Sequence, residues 1–431
     1  MWVMKRFMWF RKRSRTALLL ISALCVITAV FFWGNPGGDC LIRGWEPGRI
    51  LPKELSIELL IDSDAFITRL EDDIANAREQ IFIQTMSFEG DAAGKRLADA
   101  LKASSAPDIR LLVDDYSRYV VNDKFKYFPK YWGDREIEEE LEKTSALLSE
   151  LNASGIRVRV TNPNDPLLIR FIARNHKKMM LVDRKIAYLG GINFSDHNFA
   201  WHDMMVRIES DKVTDFLKRD FSATWNGTNL CTEGDFGGLW VAILDGNNNE
   251  AGFAPVIRAV ETARHSIVIE SAYISFPFFS HLRDAHDRGV HIVFVTPEVN
   301  NKPIMKDYVL WEAIKEGFDV RLYPDRMNHL KAILIDDSIL IFGSSNFDYV
   351  SRAIQQEILA CITDQDVISQ FIERVLTPDL KKSEAYSAPI SRWKGWPRFA
   401  LIKGMGIVFS GLNRMLDKTV GSTGSVAWEE K

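Results

Sequence analysis

The chain has 431 residues, 46% of them hydrophobic and 26% charged, and 54 Lys and Arg against 58 Asp and Glu leave a formal charge of −4. Those values describe a globular protein long enough for two cores and exclude a low-complexity or disordered chain. The slightly negative total also argues against a strongly basic nucleic-acid-binding surface, so no nucleic-acid partner is expected.

At the N-terminus, Lys5, Arg6, Arg11, Lys12, Arg13 and Arg15 precede an uncharged apolar run, Thr16 to Gly34. As a helix that run would reach about 28 Å, enough to cross a bilayer core. It reads as a transmembrane signal anchor, with a cleaved signal peptide or a buried helix as alternatives. The basic excess before it places residues 1–15 in the cytoplasm and the rest on the far side of the cell (inner) membrane. A Pro- and Gly-bearing linker fills residues 35–54.

A first half, residues 55–235, follows. Its pattern predicts a helix from Ala65 to Arg78, strand Ile81 to Thr85, helix Ala92 to Leu101, strand Ile109 to Val113, helix Ile137 to Leu151 and strand Arg157 to Val160. A second half, residues 236–380, repeats the order with helix Ala254 to Ala263, strand Ser266 to Ser271, helix Phe279 to Arg288, strand His291 to Val295, helix Asp307 to Glu316 and strand Val320 to Tyr323. This alternation predicts an α/β protein of two lobes, each a central mixed sheet flanked by helices. The first half carries about 29 extra residues before its motif, rich in Tyr119, Phe125, Tyr127, Phe128, Tyr131 and Trp132 among Lys124, Lys126 and Lys130. Such a mixture suits a lipid–water interface, the stacking of a single strand's bases, or packing on the lobe itself. Residues 381–431 contain Phe399, Ile402, Met405, Phe409, Leu412 and Leu416 at helical spacing, read as an amphipathic interfacial helix or one docked on the protein. Of four cysteines, only Cys40 and Cys231 are candidates for a disulfide, and at that separation they are expected to be unpaired. No zinc-ligand spacing occurs.

Each half ends in the same pattern. NHKKMMLVDRKIAYLGGIN at Asn175 to Asn193 and NHLKAILIDDSILIFGSSN at Asn328 to Asn346 both read H-x-K-x4-D-x6-G-x-x-N, 153 positions apart and without a gap. In an extended segment His176 and Lys178 share a face, as do His329 and Lys331. Asp183 and Asp336 fall instead between two apolar runs, at the turn of a hairpin. Asn193 and Asn346, after the small pairs Gly190-Gly191 and Ser344-Ser345, each bring an amide donor. Two copies supply two imidazoles, two ammonium groups and two carboxamides. That set suits a phosphodiester: one neutral His attacks phosphorus, a protonated His supplies the leaving oxygen's proton, and Lys and Asn hold the non-bridging oxygens.

At these residues the chain resembles the phospholipase D superfamily, whose members pair two such motifs across a pseudo-twofold axis. Asp348, Arg352 and Glu357 resemble the downstream part of the superfamily's second motif, and Trp201-His202-Asp203 after the first resembles its bacterial cardiolipin synthase branch. The resemblance implies catalysis by His176, Lys178, Asp183, His329, Lys331 and Asp336 through a phosphohistidine, with no metal or other cofactor. It makes His176 the nucleophile, His329 the general acid, and Asp203 and Glu357 the carboxylates that orient the rings. It also implies a membrane-anchored phosphatidyltransferase acting on phosphatidylglycerol, alone or with phosphatidylethanolamine. A phospholipase D hydrolase, a nuclease of the same superfamily and an inactive lipid-binding scaffold are the competing readings.

Overall fold

The computed structural model describes residues 40–164, 171–388, 404 and 424–429. The apolar run at 16–34, the basic tail before it and the amphipathic segment from Phe399 to Leu416 lie outside the described residues. Among the described residues no helix is long and apolar enough to cross a membrane.

The first half supplies β1 (Ser56–Ile61), β2 (Gln80–Thr85), β3 (Asp108–Asp114), the two-residue strands β4 (Val120–Val121) and β5 (Lys124–Phe125), β6 (Arg157–Thr161), β7 (Met179–Val182), β8 (Ile186–Gly190) and β9 (Met204–Glu209). The second supplies β10 (Thr232–Asp235), β11 (Leu239–Asp245), β12 (Ser266–Ser271), β13 (His291–Pro297), β14 (Asp319–Tyr323), β15 (Lys331–Ile335), β16 (Ile339–Gly343) and β17 (Gln356–Ile362), and the tail adds β18 (Glu384–Ala385) and β19 (Ser425–Ala427). One sheet runs β1-β9-β8-β7-β2-β3-β6-β19 and the other β10-β11-β17-β16-β15-β12-β13-β14-β18. In both, three strands pair in parallel, β2-β3-β6 and β12-β13-β14, and the other neighbours pair antiparallel. Apart from β10, each strand of one sheet has its counterpart in the other.

Strand periodicity puts the two sheets face to face. Phe82 of β2 and Ala332 and Leu334 of β15 belong to one buried cluster shared by both sheets. Their neighbours Ile81 and Ile83, and Ile333 and Ile335, turn the other way, into separate cores under the flanking helices. Helices Asp62–Asn76, Ala92–Ala103 and Arg135–Ala153 cover the first sheet, and Asn249–Thr262, Phe278–Asp287 and Pro303–Lys315 the second. The last begins four residues before the expected Asp307, because Pro303 is preset for a first helical turn.

One sequence expectation is corrected. Cys40 and Cys231 form a disulfide, with Cα atoms 5.8 Å apart, tying the segment after the N-terminal run to the second sheet's edge. The tail is held at both described ends: β18 extends the second sheet, β19 extends the first, and Trp428 is buried there. Between the motif residues, Lys177 points away from His176 and Lys178 and is buried, its ammonium 2.7 and 2.9 Å from Asp220 and 3.2 Å from Thr224 Oγ1.

Candidate active site

Both motifs enter through hydrogen bonds to the other lobe. His176 N donates to Gln356 O at 2.9 Å and Gln356 N to Arg174 O at 3.0 Å; His202 N donates to Met327 O at 2.8 Å and His329 N to His202 O at 2.7 Å. Asn175 therefore bridges to Gln356 and His202 to Asn328, short parallel pairings between lobes. The same crossing recurs in the side chains. His176 Nδ1 lies 3.0 Å from each oxygen of Glu357, and His329 Nδ1 lies 2.6 Å from Asp203 Oδ2. An ionised carboxylate only accepts, so each ring donates from Nδ1; His176 keeps its Nε2 lone pair for attack, while the Lys331 ammonium stands 3.2 Å from His329 Nε2.

Glu357 is fixed in turn by Ser344 Oγ at 2.6 Å and Ser351 Oγ at 2.8 Å. The counterpart of Ser344 is Gly191, where an added Cβ would stand 2.3 Å from Asp203 Oδ1. The missing hydroxyl of the first half thus makes room for the Asp203 carboxylate. Lys178 and Lys331 are buried and donate to the carbonyls of His176 and His329 at 2.8 and 2.6 Å.

His176, His329, Asn193 and Asn346 line one polar cavity of about 60 Å³. Burial lowers His176 to about 4 against the pull of Glu357, and burial with the Lys331 charge lowers His329 to about 3. Both rings are therefore neutral at pH 7. Burial likewise lowers Lys178 to about 7. Glu357 is lowered even though burial opposes it, because His176 and Lys178 outweigh burial. Lys178 and Lys331 stand behind the histidines, outside the cavity lining, and a phosphodiester anion bound in front of the rings would favour the charged form of both buried amines.

Asp183 and Asp336 stand elsewhere. Each occupies the hairpin turn in the left-handed region, φ 53° and 50°, and caps backbone N–H groups where the parallel strands begin. Asp183 accepts from Arg78, Glu79 and Gln80, and Asp336 from Arg264, His265 and Ser266. Neither carboxylate lines the cavity, so the structure does not bring them together with the motif histidines and asparagines. The amides are also unequal. Asn193 Nδ2 is engaged by Asn198 Oδ1 at 2.8 Å, whereas the buried Asn346 Oδ1 has no partner among the described residues.

Motif reading missed much of the cavity wall, including Glu89, Asp123, His197, Tyr273, Asn301 and Lys302. Several follow the carboxyl ends of β2, β12 and β13, the usual ligand edge of parallel strands, and that rule could have found them. Burial raises Glu89 to about 7, and His197 is raised, against burial, by Asp123 and Glu89.

His202, next to Asp203, is clamped between Asp62 at 2.7 Å and Asp379 at 2.8 Å and stacks on Tyr323. Burial opposes its charge, but the two carboxylates win and raise it to about 10 from 6.5. A raised histidine binds its proton more tightly in the folded state, so its stabilisation is complete below about pH 6.5 and is lost as pH rises through about 10. Thermal unfolding followed from pH 6 to 10 is expected to weaken along that window in the native chain, and His202→Gln is expected to flatten the slope.

Two pseudo-symmetric lobes that bring paired H-x-K motifs to one cavity define an enzyme of the phospholipase D superfamily. The family model described as "Cardiolipin synthase, PLD-like domain" matches residues 70–225 and 256–376, and the chain belongs to this family. It is 26% identical over 370 residues to Cardiolipin synthase 1 of Staphylococcus epidermidis, covering 78% of this chain and 69% of that protein. It is 25% identical over 383 residues to Cardiolipin synthase B of Salmonella typhimurium, covering 81% and 86%. Among solved structures, phosphatidylserine synthase of Haemophilus influenzae Rd KW20 aligns with a TM-score of 0.62 over 84% of this chain and 95% of that one, at 14% identity, and so shares the fold.

Proposed function

We propose that the protein is a phosphatidyltransferase of the cardiolipin synthase kind, with phosphatidylglycerol as phosphatidyl donor and a lipid hydroxyl as acceptor. The observation that carries this reading is the crossed pairing: each imidazole of the shared cavity is oriented by a carboxylate from the opposite lobe.

In the first step His176 Nε2 attacks phosphorus, the bond to the headgroup oxygen breaks, and His329 Nε2–H gives that oxygen its proton. In the second, His329 takes the proton of the acceptor hydroxyl, the acceptor oxygen attacks phosphorus, and the bond to His176 breaks. His329 must be protonated for the first step, although it is neutral in the free enzyme. An arriving phosphodiester supplies the negative charge that favours imidazolium formation. Lys178 and Lys331 hold the non-bridging oxygens, with Asn346 beside them. Water competes as acceptor, and its exclusion separates synthase from hydrolase.

The Cys40–Cys231 disulfide supports a catalytic part outside the cytoplasm, since such bonds persist in oxidising compartments. It fits the orientation read from the basic N-terminus, with the anchor at 16–34. Incubation of the full chain with phosphatidylglycerol, followed by mass spectrometry, is expected to yield cardiolipin and free glycerol. Turnover of single-stranded DNA with no lipid product would overturn the reading, and phosphatidic acid as the main product would make the enzyme a hydrolase.

A further inference from the structure

Eight large apolar side chains are exposed among the described residues; four of them, Tyr127, Phe128, Trp132 and Val299, lie in two loops and a fifth, Ile304, opens the helix after the second, and both loops reach the catalytic cavity, through Asp123 and through Asn301 and Lys302, which line it. Exposed apolar residues scattered singly need no explanation, but a convergent set marks a binding surface. The loops are joined across the lobes: Asn301 Nδ2 donates to Asp123 Oδ2 at 2.8 Å, and both residues line the cavity. From Asp123 the first loop leaves through β5. Val299 and Ile304 bracket Asn301 and Lys302 on the other side.

The first loop is built in two layers. Phe125 packs inward, 4.5 Å from the Phe171 ring and 5.7 Å from Tyr127. That anchoring leaves Tyr127 and Phe128 about half exposed and Trp132 83% exposed. Lysines lie along the rings, Lys126 Nζ 4.9 Å from Tyr119 and Tyr127 and Lys130 Nζ 5.2 Å from Tyr131. Between Asp123 and Asp134, which flank it, the first loop has three lysines and no acidic residue; the second loop has Lys302 against Glu298, and the helix after it Lys306 beside Asp307. Aromatic rings with lysine stems beside them favour the headgroup zone of a bilayer, and the basic excess favours an anionic one.

We infer that these loops are a membrane-docking rim that seats the cavity mouth on an anionic phospholipid surface, so that a lipid phosphate, already at headgroup depth, reaches His176 without its acyl chains leaving the bilayer. The inference rests on the phosphatidyltransferase reading for its purpose, but the surface can be tested apart from it.

The full chain and its Trp132→Phe variant are each bound to vesicles of brominated phosphatidylcholine with and without phosphatidylglycerol. Beyond the quenching of tryptophans common to both, Trp33 of the 16–34 run among them, the native chain is expected to show a bromine-quenched component that the variant lacks and that shrinks when phosphatidylglycerol is omitted. Separately, the double change Phe128→Ser and Trp132→Ser is expected to lower turnover of vesicle phosphatidylglycerol about tenfold, with less than about a twofold change on a short-chain monomeric phosphatidylglycerol. Equal quenching in native chain and variant, or equal loss on both substrates, would overturn the docking rim. A native chain that turns over neither lipid form would sink the phosphatidyltransferase reading instead, and the quenching would still decide the surface.

Discussion

His176→Ala is expected to lower headgroup release from phosphatidylglycerol by a factor on the order of 10⁴ or more, since it removes the attacking atom itself. His329→Ala is expected to be comparably slow on that lipid, because the glycerol oxygen leaves poorly without a proton. The two differ on a phosphatidyl ester of p-nitrophenol, whose leaving group needs no acid. There His329→Ala should still release a burst of p-nitrophenol and retain a covalent phosphatidyl adduct on His176, detectable by mass spectrometry of acid-quenched protein. His176→Ala should show neither. The assignment of roles comes from the resemblance, since each Nδ1 is held by a carboxylate of the opposite lobe; the one difference at Nε2 is the Lys331 ammonium 3.2 Å from that of His329. A burst from His176→Ala and none from His329→Ala would reverse it.

Glu357→Gln is expected to cost about 10²–10⁴ in kcat with KM little changed, by the same logic that makes the orienting carboxylate of a catalytic triad indispensable. Ser344 donates to Oε2 and Ser351 to Oε1, so a glutamine keeps only one of those acceptors and places its NH₂ against the other hydroxyl and against His176 Nδ1. Nδ1 would then have to accept, and the proton would move to Nε2, where the attacking lone pair is needed. Asp203→Asn should do the same to His329. Because each carboxylate serves the other lobe's ring, a change in one lobe is expected to disable the imidazole of the other. Activity of either variant within tenfold of the native chain would contradict this pairing.

Much of the architecture could be read in the chain. The duplicated motif, the alternation of strands and helices, and the turn positions of Asp183 and Asp336 depend on residues close to one another, and period-two burial is a property of any strand between two layers. Each hairpin is local: β7 turns into β8 across three residues, and β15 into β16 likewise. Glu357 and Asp203 were visible as carboxylates suited to orient a ring, but not which ring each would meet.

The sequence by itself determined two like lobes and the groups that could perform phosphoryl transfer, because both follow from short-range pattern and residue chemistry. Only the tertiary structure decided that His176 meets Glu357 across 181 residues and His329 meets Asp203 across 126. It likewise decided that Cys40 closes on Cys231 and that Asn193 is already engaged. Those pairings are set by how two sheets stack and which strand ends come to face each other, a geometry to which separation along the chain gives no guide.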